Sequence, residues 1–176
     1  MSKSINLIDE YFNYHHEYTK KYGQNTLISM QVGSFFESYA TNTEGFELQR
    51  IAELFNCVVT KKDKSIVEVS RKNPYLCGYP TIALQKYLKI LIDNGITVVL
   101  IEQTSPPPNP TRAITNIYSP GTYIDEISNP ENNYLASLYI EEISNNIFIC
   151  GAAIADVSTG KLLVFQSKFC KLGCIT

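Results

Sequence analysis

Thr26-Leu27-Ile28-Ser29-Met30-Gln31-Val32-Gly33-Ser34-Phe35-Phe36-Glu37 is the stretch on which the fold turns. Its first seven residues alternate. Ile28, Met30 and Val32 fall on one side and Leu27, Ser29 and Gln31 on the other, which is the period of a strand. Gly33-Ser34 breaks it. Ser34 is a good helix N-cap type and Glu37 stands three residues later, as in a capping box, so a helical turn is predicted to start there. Two large rings, Phe35 and Phe36, follow the break, and one can pack inward while the other points out. On physics alone the plainer reading puts both rings in the core, with Glu37 as a capping residue. The other reading leaves an exposed ring near a carboxylate, the build of an apolar wedge for a DNA minor groove.

Outward from this stretch the chain mixes helices and strands. Residues 5–21 read as a helix, with Ile5, Ile8, Phe12 and His15 on one face and Gly23 as its stop. A second helix spans 46–55, with Ile51, Leu54 and Phe55 inward. Residues 57–60 and 66–69 are short β-prone runs joined by Lys61-Lys62-Asp63-Lys64. After Gly78-Tyr79-Pro80, residues 81–94 carry the stripe Leu84, Leu88, Leu91 and Ile92, with Gly95 as the stop. Residues 96–101 form a buried strand, and the run Ser105 to Pro110 is a stiff connector without most strand donors. Residues 111–118 alternate again and end at the turn Ser119-Pro120-Gly121-Thr122. A polar stretch rich in Asn and acidic residues follows at 125–133. Residues 147–155 and 161–165 then flank Asp156-Val157-Ser158-Thr159-Gly160 as a hairpin. The expected architecture is α/β: a mixed β-sheet flanked by helices over 1–125, a linker over 126–145, and the first hairpin of an incomplete second unit over 146–176.

Composition narrows the function classes. Of 176 residues, 44% are hydrophobic and 18% charged, which excludes charge-driven disorder. The formal net charge of -2 excludes a protein that grips phosphates over its whole surface, though not a local basic strip. Residues 57–73 supply such a strip: Lys61, Lys62, Lys64, Arg71 and Lys72 against Asp63 and Glu68. Nothing approaches the roughly 18 apolar residues of a membrane span. The start lacks a signal core, so a soluble, intracellular product is expected. The five cysteines are odd in number and include no Cys-x-x-Cys, which suits reduced thiols. Cys170 and Cys174 with His15-His16 lack zinc-ligand spacing, and no metal site is expected. Phosphate loops, dinucleotide fingerprints and nucleophile elbows are absent from the sequence. Catalysis is not expected of this segment; Glu37, Asp63 and Glu102 as a small metal-dependent nuclease site, or an interaction module with no DNA role, are the competing readings.

Several motifs in order resemble the N-terminal part of MutS-type DNA mismatch repair proteins. Gly33-Ser34-Phe35-Phe36-Glu37 is similar to that family's Gly-Asp-Phe-Tyr-Glu, and Cys77-Gly78-Tyr79-Pro80 to its Gly-[Ile/Val/Phe]-Pro turn. Tyr87-Leu88 through Gly95 to Glu102-Gln103 resembles its helix and the strand ending in Glu-Gln. Arg112 through Tyr118-Ser119-Pro120-Gly121-Thr122 resembles its Arg-x-x-x-x-[Ile/Val]-x-[Thr/Ser]-Pro-Gly-Thr. Asn132 to Ala136 and Ala155 to Gly160 are similar to later landmarks. Each motif alone is weak, but six in family order are specific, and they cover residues 5–166. The run from Ser105 to Tyr123 further resembles the subgroup of large DNA viruses and some organelles.

The resemblance implies a mismatch-binding domain followed by the start of a connector domain. It implies that Phe35 and Glu37 read the mispair, with Gly33, Ser34, Phe36, Lys61, Lys62 and Arg112 as further DNA-contact candidates. The implied partner is double-stranded DNA with mismatches or small loops, and the full-length protein would be a homodimer. No cofactor is implied in this chain; ATP and magnesium belong to the ATPase region of the family, which this sequence lacks. A fragment or a truncated product is therefore expected. Ser34 departs from the family's Asp, Thr81-Ile82 from its Tyr-His, and the last ten residues from any family pattern.

Overall fold

The computed structural model describes residues 6–123, 134–144, 147–166 and 170–171. Contacts divide the chain into two units, Met1–Pro120 and Gly121–Thr176. The first unit opens with α1, Leu7–Tyr22. Asp9 and Glu10 in its first turn and Lys20 and Lys21 in its last complement the helix dipole. Gly23, at φ 93, closes it with an N–H bond to the Thr19 carbonyl. Ile8, Tyr11, Phe12 and His15 are buried, on the face the periodicity marks; Ile5 lies outside the described residues.

Next come β1 (Thr26–Val32), β2 (Phe35–Ala40), α2 (Leu48–Phe55), β3 (Thr60–Lys61) and β4 (Tyr75–Pro80). A 3-10 turn at Thr81–Ala83 leads into α3 (Leu84–Asp93), and β5 (Thr97–Gln103) and β6 (Arg112–Tyr118) complete the unit. The six strands form one sheet in the order β3-β4-β2-β1-β5-β6. The central β1–β5 pair is parallel and its neighbours antiparallel, so the sheet is mixed, as expected of an α/β domain.

The centre of the sheet is covered on both faces, which explains why residues 26–30 of β1 are all buried despite their alternation. On one face Ile28, Met30, Tyr39, Val99 and Ile101 pack with Ile8, Tyr11 and Phe12 of α1. On the other, a chain of rings links Phe36, Tyr79, Phe55 and Tyr87, with centroids 4.5 to 5.7 Å apart. That chain ties β2 and β4 to α2 and α3. The buried Ser29 hydroxyl meets the Tyr79 hydroxyl at 2.8 Å beneath it, so neither polar group is stranded.

Three expectations change. No helical turn starts at Ser34: Gly33-Ser34 is a two-residue hairpin loop between β1 and β2. Gly33 has φ +61, the conformation a type II′ turn asks of its first central residue. The β-formers Phe35, Phe36 and Tyr39 after it find a partner strand on each side, and sheet pairing overrides the weak capping pattern.

The two runs at 57–60 and 66–69 do not pair with each other. Only Thr60–Lys61 is a strand, against β4. The loop beyond it is organised by Asn73, 2% exposed. Its amide accepts from the Asp63 N–H at 2.7 Å and donates to the Ile66 and Glu68 carbonyls. Val58 and Val67, 84% and 89% exposed, gain no sheet face to cover them.

The expected linker over 126–145 also gives way in part: Tyr134–Ser144 is a strand, β7, while 124–133 and 145–146 lie outside the described residues. β7 carries Leu135, Leu138, Tyr139, Ile140 and Ile143, an apolar run that directly follows the polar stretch.

In the second unit β8 (Ile147–Asp156) pairs antiparallel with β7 along almost its whole length. On its other side β8 pairs with β9 (Lys161–Gln166), the hairpin the sequence predicts, and with the short β10 (Cys170–Lys171). Asp156 caps the hairpin turn, accepting from the Ser158 and Thr159 hydroxyls at 2.6 Å each. All residues of β7 are exposed, and Leu162 and Val164 of β9 likewise. No described helix is long and apolar enough to cross a membrane.

Candidate nucleic-acid interface

One end of the first sheet gathers most of the residues singled out above. The registers Val32↔Phe35, Phe35↔Pro80, Met30↔Ile101 and Gln103↔Arg112 bring the β1–β2 turn, the Pro80–Ala83 segment and the Gln103–Arg112 loop to that end. Strand parity then assigns the two rings. Phe36 stands opposite Gln31 and Tyr79, on the face of α2 and α3, and is 2% exposed. Burying such a ring stabilises the fold by roughly 1.5–3 kcal/mol. Phe35 is one residue out of phase, at the end of the sheet, and 46% exposed. The reading with both rings in the core is thereby set aside.

Glu37 lies on the same face as Phe35, two residues further into the sheet. It accepts a hydrogen bond from the Tyr39 hydroxyl. Burial, and the carboxylate beside it, push the Tyr39 hydroxyl well above the ordinary phenol range, so it stays a donor. The Tyr39 ring is fixed in turn by an edge contact with Tyr11, centroids 5.0 Å apart. One carboxylate oxygen is thus held from below while the group remains partly open to solvent.

The turn that carries Phe35 is braced by polar side chains. Gln31 Nε2 donates to the Gly33 carbonyl at 3.1 Å, and Gln31 Oε1 accepts from the Gln103 N–H at 2.9 Å. Arg112 Nε donates to the Gln31 carbonyl at 3.0 Å and Nη1 to the Pro110 carbonyl at 3.4 Å. In the amide orientation that satisfies its neighbours, the Gln103 oxygen accepts from the Gly33 N–H and from Arg112 Nη2, each at 3.2 Å. Arg112 is therefore first a brace of the turn, with donors left over from its five. The Thr81 N–H bonds the Ser34 carbonyl at 2.9 Å, which seats Ile82, 96% exposed, beside the turn. Sequence reading missed Gln31, Gln103, Tyr39 and Ile82. Gln103 was visible as part of a Glu-Gln motif, but its partner is set by the parallel β1–β5 pairing, which no local pattern announces.

The lysines are placed elsewhere. Lys61 pairs with Tyr75, at the start of β4, whereas Phe35 pairs with Pro80 at its end. At about 3.3 Å per residue this separates them by roughly 17 Å along the strand. Lys61 Nζ donates to the Ile66 and Val67 carbonyls, while Lys62 is exposed. Arg71 is engaged too: it grips Glu44 through Nε and Nη2 at 2.6 and 2.7 Å, reaches Asp9 at 3.1 Å, and lies over the Phe12 ring. Of the basic strip, Arg71 thus pins the loop to α1 and is not free to meet a phosphate.

The carboxylates proposed for a nuclease do not converge. Glu37 shares its face with Met30 and Ile101, and Glu102, next in β5, faces the opposite side. Asp63 is held in its own loop by Ser65. Among the described residues no group of three or more His, Cys, Asp or Glu could hold a metal ion.

Residues 11–127 match the sequence profile of MutS domain I. The chain belongs to the MutS family. A mutS homolog of Acanthamoeba polyphaga mimivirus is 33% identical over 96% of this chain. The MutS mismatch repair proteins of Methanococcoides burtonii and Fervidobacterium nodosum are 34% and 29% identical over 84% and 82% of it. In each case the match spans 16% of the relative's own length. MutS domain I is the mismatch-recognition domain of these repair proteins, and the braced hairpin with Phe35 at its edge lies within the matched residues.

Proposed function

We propose that this MutS segment reads mispaired or unpaired bases in duplex DNA through Phe35 and Glu37, as the recognition module of a larger mismatch repair ATPase. The observation that carries this is the split of adjacent rings at one turn: Phe36 in the core, Phe35 exposed, with Glu37 held on the Phe35 side. A mispair has lost stacking and pairing, so kinking the duplex there costs less than at a matched step. Phe35 enters the minor groove and stacks on one mispaired base. Glu37 addresses that base's edge. Ionised, it accepts from a donor such as a thymine N3–H; against a purine N7, which offers only a lone pair, it must carry a proton. Tyr39 holds one carboxylate oxygen and so leaves the other to face the base. Gly33 and Ser34 let the backbone approach, Phe36 backs the turn, and Lys62, Lys61 and the remaining donors of Arg112 meet phosphates, which position without reading sequence.

ATP and magnesium are assigned to the family's ATPase region, a reading supported by the lack of a phosphate-loop motif in this sequence. The segment itself is read as a non-enzymatic DNA-binding module, the full-length protein as a homodimer, and residues from 134 on as the start of the connector domain. Fluorescence anisotropy with labelled G·T and matched duplexes, with and without magnesium, tests the reading. A preference for the mispair is expected, and Phe35→Ala should abolish it while the fold survives, because base–aromatic stacking contributes about 1–3 kcal/mol. Cleavage of the duplex would support a nuclease instead. Equal binding of both duplexes by the wild-type chain, or unfolding by Phe35→Ala, would sink the wedge.

A further inference from the structure

Cys57 and Cys77 come together from distant points in the chain. Cys57 follows the left-handed cap residue Asn56 at the end of α2, where its N–H bonds the Ala52 carbonyl. Cys77 sits in the middle of β4, opposite Ser38 of β2. Their sulfurs are 3.2 Å apart, and both are free thiols. Exposure differs: Cys57 is open to solvent, while Cys77 is 2% exposed. We propose that this pair is a thiol modification site, at which a hydroperoxide converts Cys57 and Cys77 to an intramolecular disulfide.

The geometry favours a disulfide over a shared metal ion. A bond of about 2.05 Å requires the sulfurs to close by roughly an ångström. Two thiolates on one zinc ion at about 2.3 Å each, in tetrahedral geometry, would have to spread further apart. Among the described residues no third ligand accompanies them.

The division of labour follows from access. The Cys57 sulfur attacks the terminal oxygen of the peroxide, the O–O bond breaks, and water leaves for hydrogen peroxide, so Cys57 becomes a sulfenic acid. The Cys77 sulfur then attacks the Cys57 sulfur, its proton joins the departing hydroxide, and a second water leaves. Two thiols are oxidised and one peroxide is reduced. Burial, helped by the neighbouring thiol, pushes the Cys77 thiol up to about 12, so it is not the group that meets the oxidant first. The sulfenic acid forms within reach of a resolving thiol, the arrangement that diverts it from further oxidation.

The bond would have a defined mechanical effect. Cys57 and Cys77 are 20 residues apart, and the segment between them carries Lys61, Lys62, Lys64, Arg71 and Lys72. Closing that loop removes freedom from the unfolded chain and tethers the basic segment at both ends. The tether lands one residue from Gly78, the strand partner of Glu37.

The test uses the 176-residue chain, treated with stoichiometric hydrogen peroxide and then alkylated. Peptide mapping by mass spectrometry should find the peptides of Cys57 and Cys77 linked, with the loss of two hydrogen atoms. The thermal midpoint of the first unit should rise by an amount on the order of 10 °C and fall back on reduction. Cys57→Ser, a change at an exposed position, should remove both effects. Cys57 found as a sulfinic acid without the link, links to other cysteines only, or a peroxide-treated chain whose midpoint matches that of Cys57→Ser would overturn the proposal.

Discussion

At the scale of single residues, parity assigns the roles. Phe35 and Phe36 are chemically identical, and the register of β2 against β1 and β4 alone sends one outward and the other into the ring cluster. Phe36→Ala should cost about 3–5 kcal/mol in denaturant unfolding, the usual loss for a core ring, in contrast to the near-neutral stability expected of Phe35→Ala. His15 shows a second consequence of position. Burial lowers its pKa, with His16 adding to the shift and Glu44 opposing it, so the folded state holds the neutral ring. Hydrogen bonding and charge from Arg71 lower the Glu44 pKa in the same region. In the window just below the ordinary histidine value of 6.5 the unfolded chain binds more protons than the folded one. Stability should therefore fall as pH drops through that window. His15→Gln should flatten the decline in urea titrations between about pH 6.5 and 5; an unchanged slope would assign it to other groups.

Among the elements, the β2–β4 pair decides how firmly the reading residues are held. A Cβ at Gly78 would lie 2.5 Å from the Phe36 carbonyl oxygen and 3.2 Å from Glu37 Cα. Those are backbone atoms of a paired strand and cannot give cheaply. Gly78→Ala should destabilise the domain by about 1–3 kcal/mol, measured by urea unfolding, and should also loosen mispair selectivity, since β2 must shift to admit the methyl group. A variant as stable as wild type would show that β4 moves and β2 does not. The Gln31–Gln103–Arg112 brace works at the same scale: it joins three strands and the Pro110 carbonyl behind one turn.

For the whole molecule, charge bears on affinity. The net charge is -2, Arg71 is committed to Glu44 and Asp9, and Lys61 to loop carbonyls. Of the cations predicted to meet phosphates, Lys62 and the spare donors of Arg112 remain to release counterions from DNA, so the isolated chain is expected to bind even mispaired duplex more weakly than about micromolar at physiological salt. Lys62→Ala should lower the slope of log K against log salt by about 1, equally for matched and mispaired duplex, and Lys61→Ala by less. Salt titrations in which Lys62→Ala keeps the wild-type slope would return that side chain to solvent. Nanomolar, mismatch-selective binding by these 176 residues would show that they supply the whole grip themselves.

The sequence by itself determined the α/β class, the stripe of α1 and of α3, the strand at 26–32 and the family, because these rest on local periodicity and on motifs in chain order. Even the hairpin at Gly33-Ser34 was legible: a Gly-Ser pair between two β-prone runs is a hairpin signal, and the capping-box reading obscured it. Tertiary structure alone decided which ring faces out, that Tyr39 holds the Glu37 carboxylate, and that Glu37 and Glu102 face opposite sides. It also placed Lys61 at the far end of β4, turned Arg71 and Arg112 into braces, and set Cys57 against Cys77. These facts depend on register and on pairings between segments far apart in the chain. A shift of one residue in such a pairing inverts every face, and nothing in a local pattern specifies it.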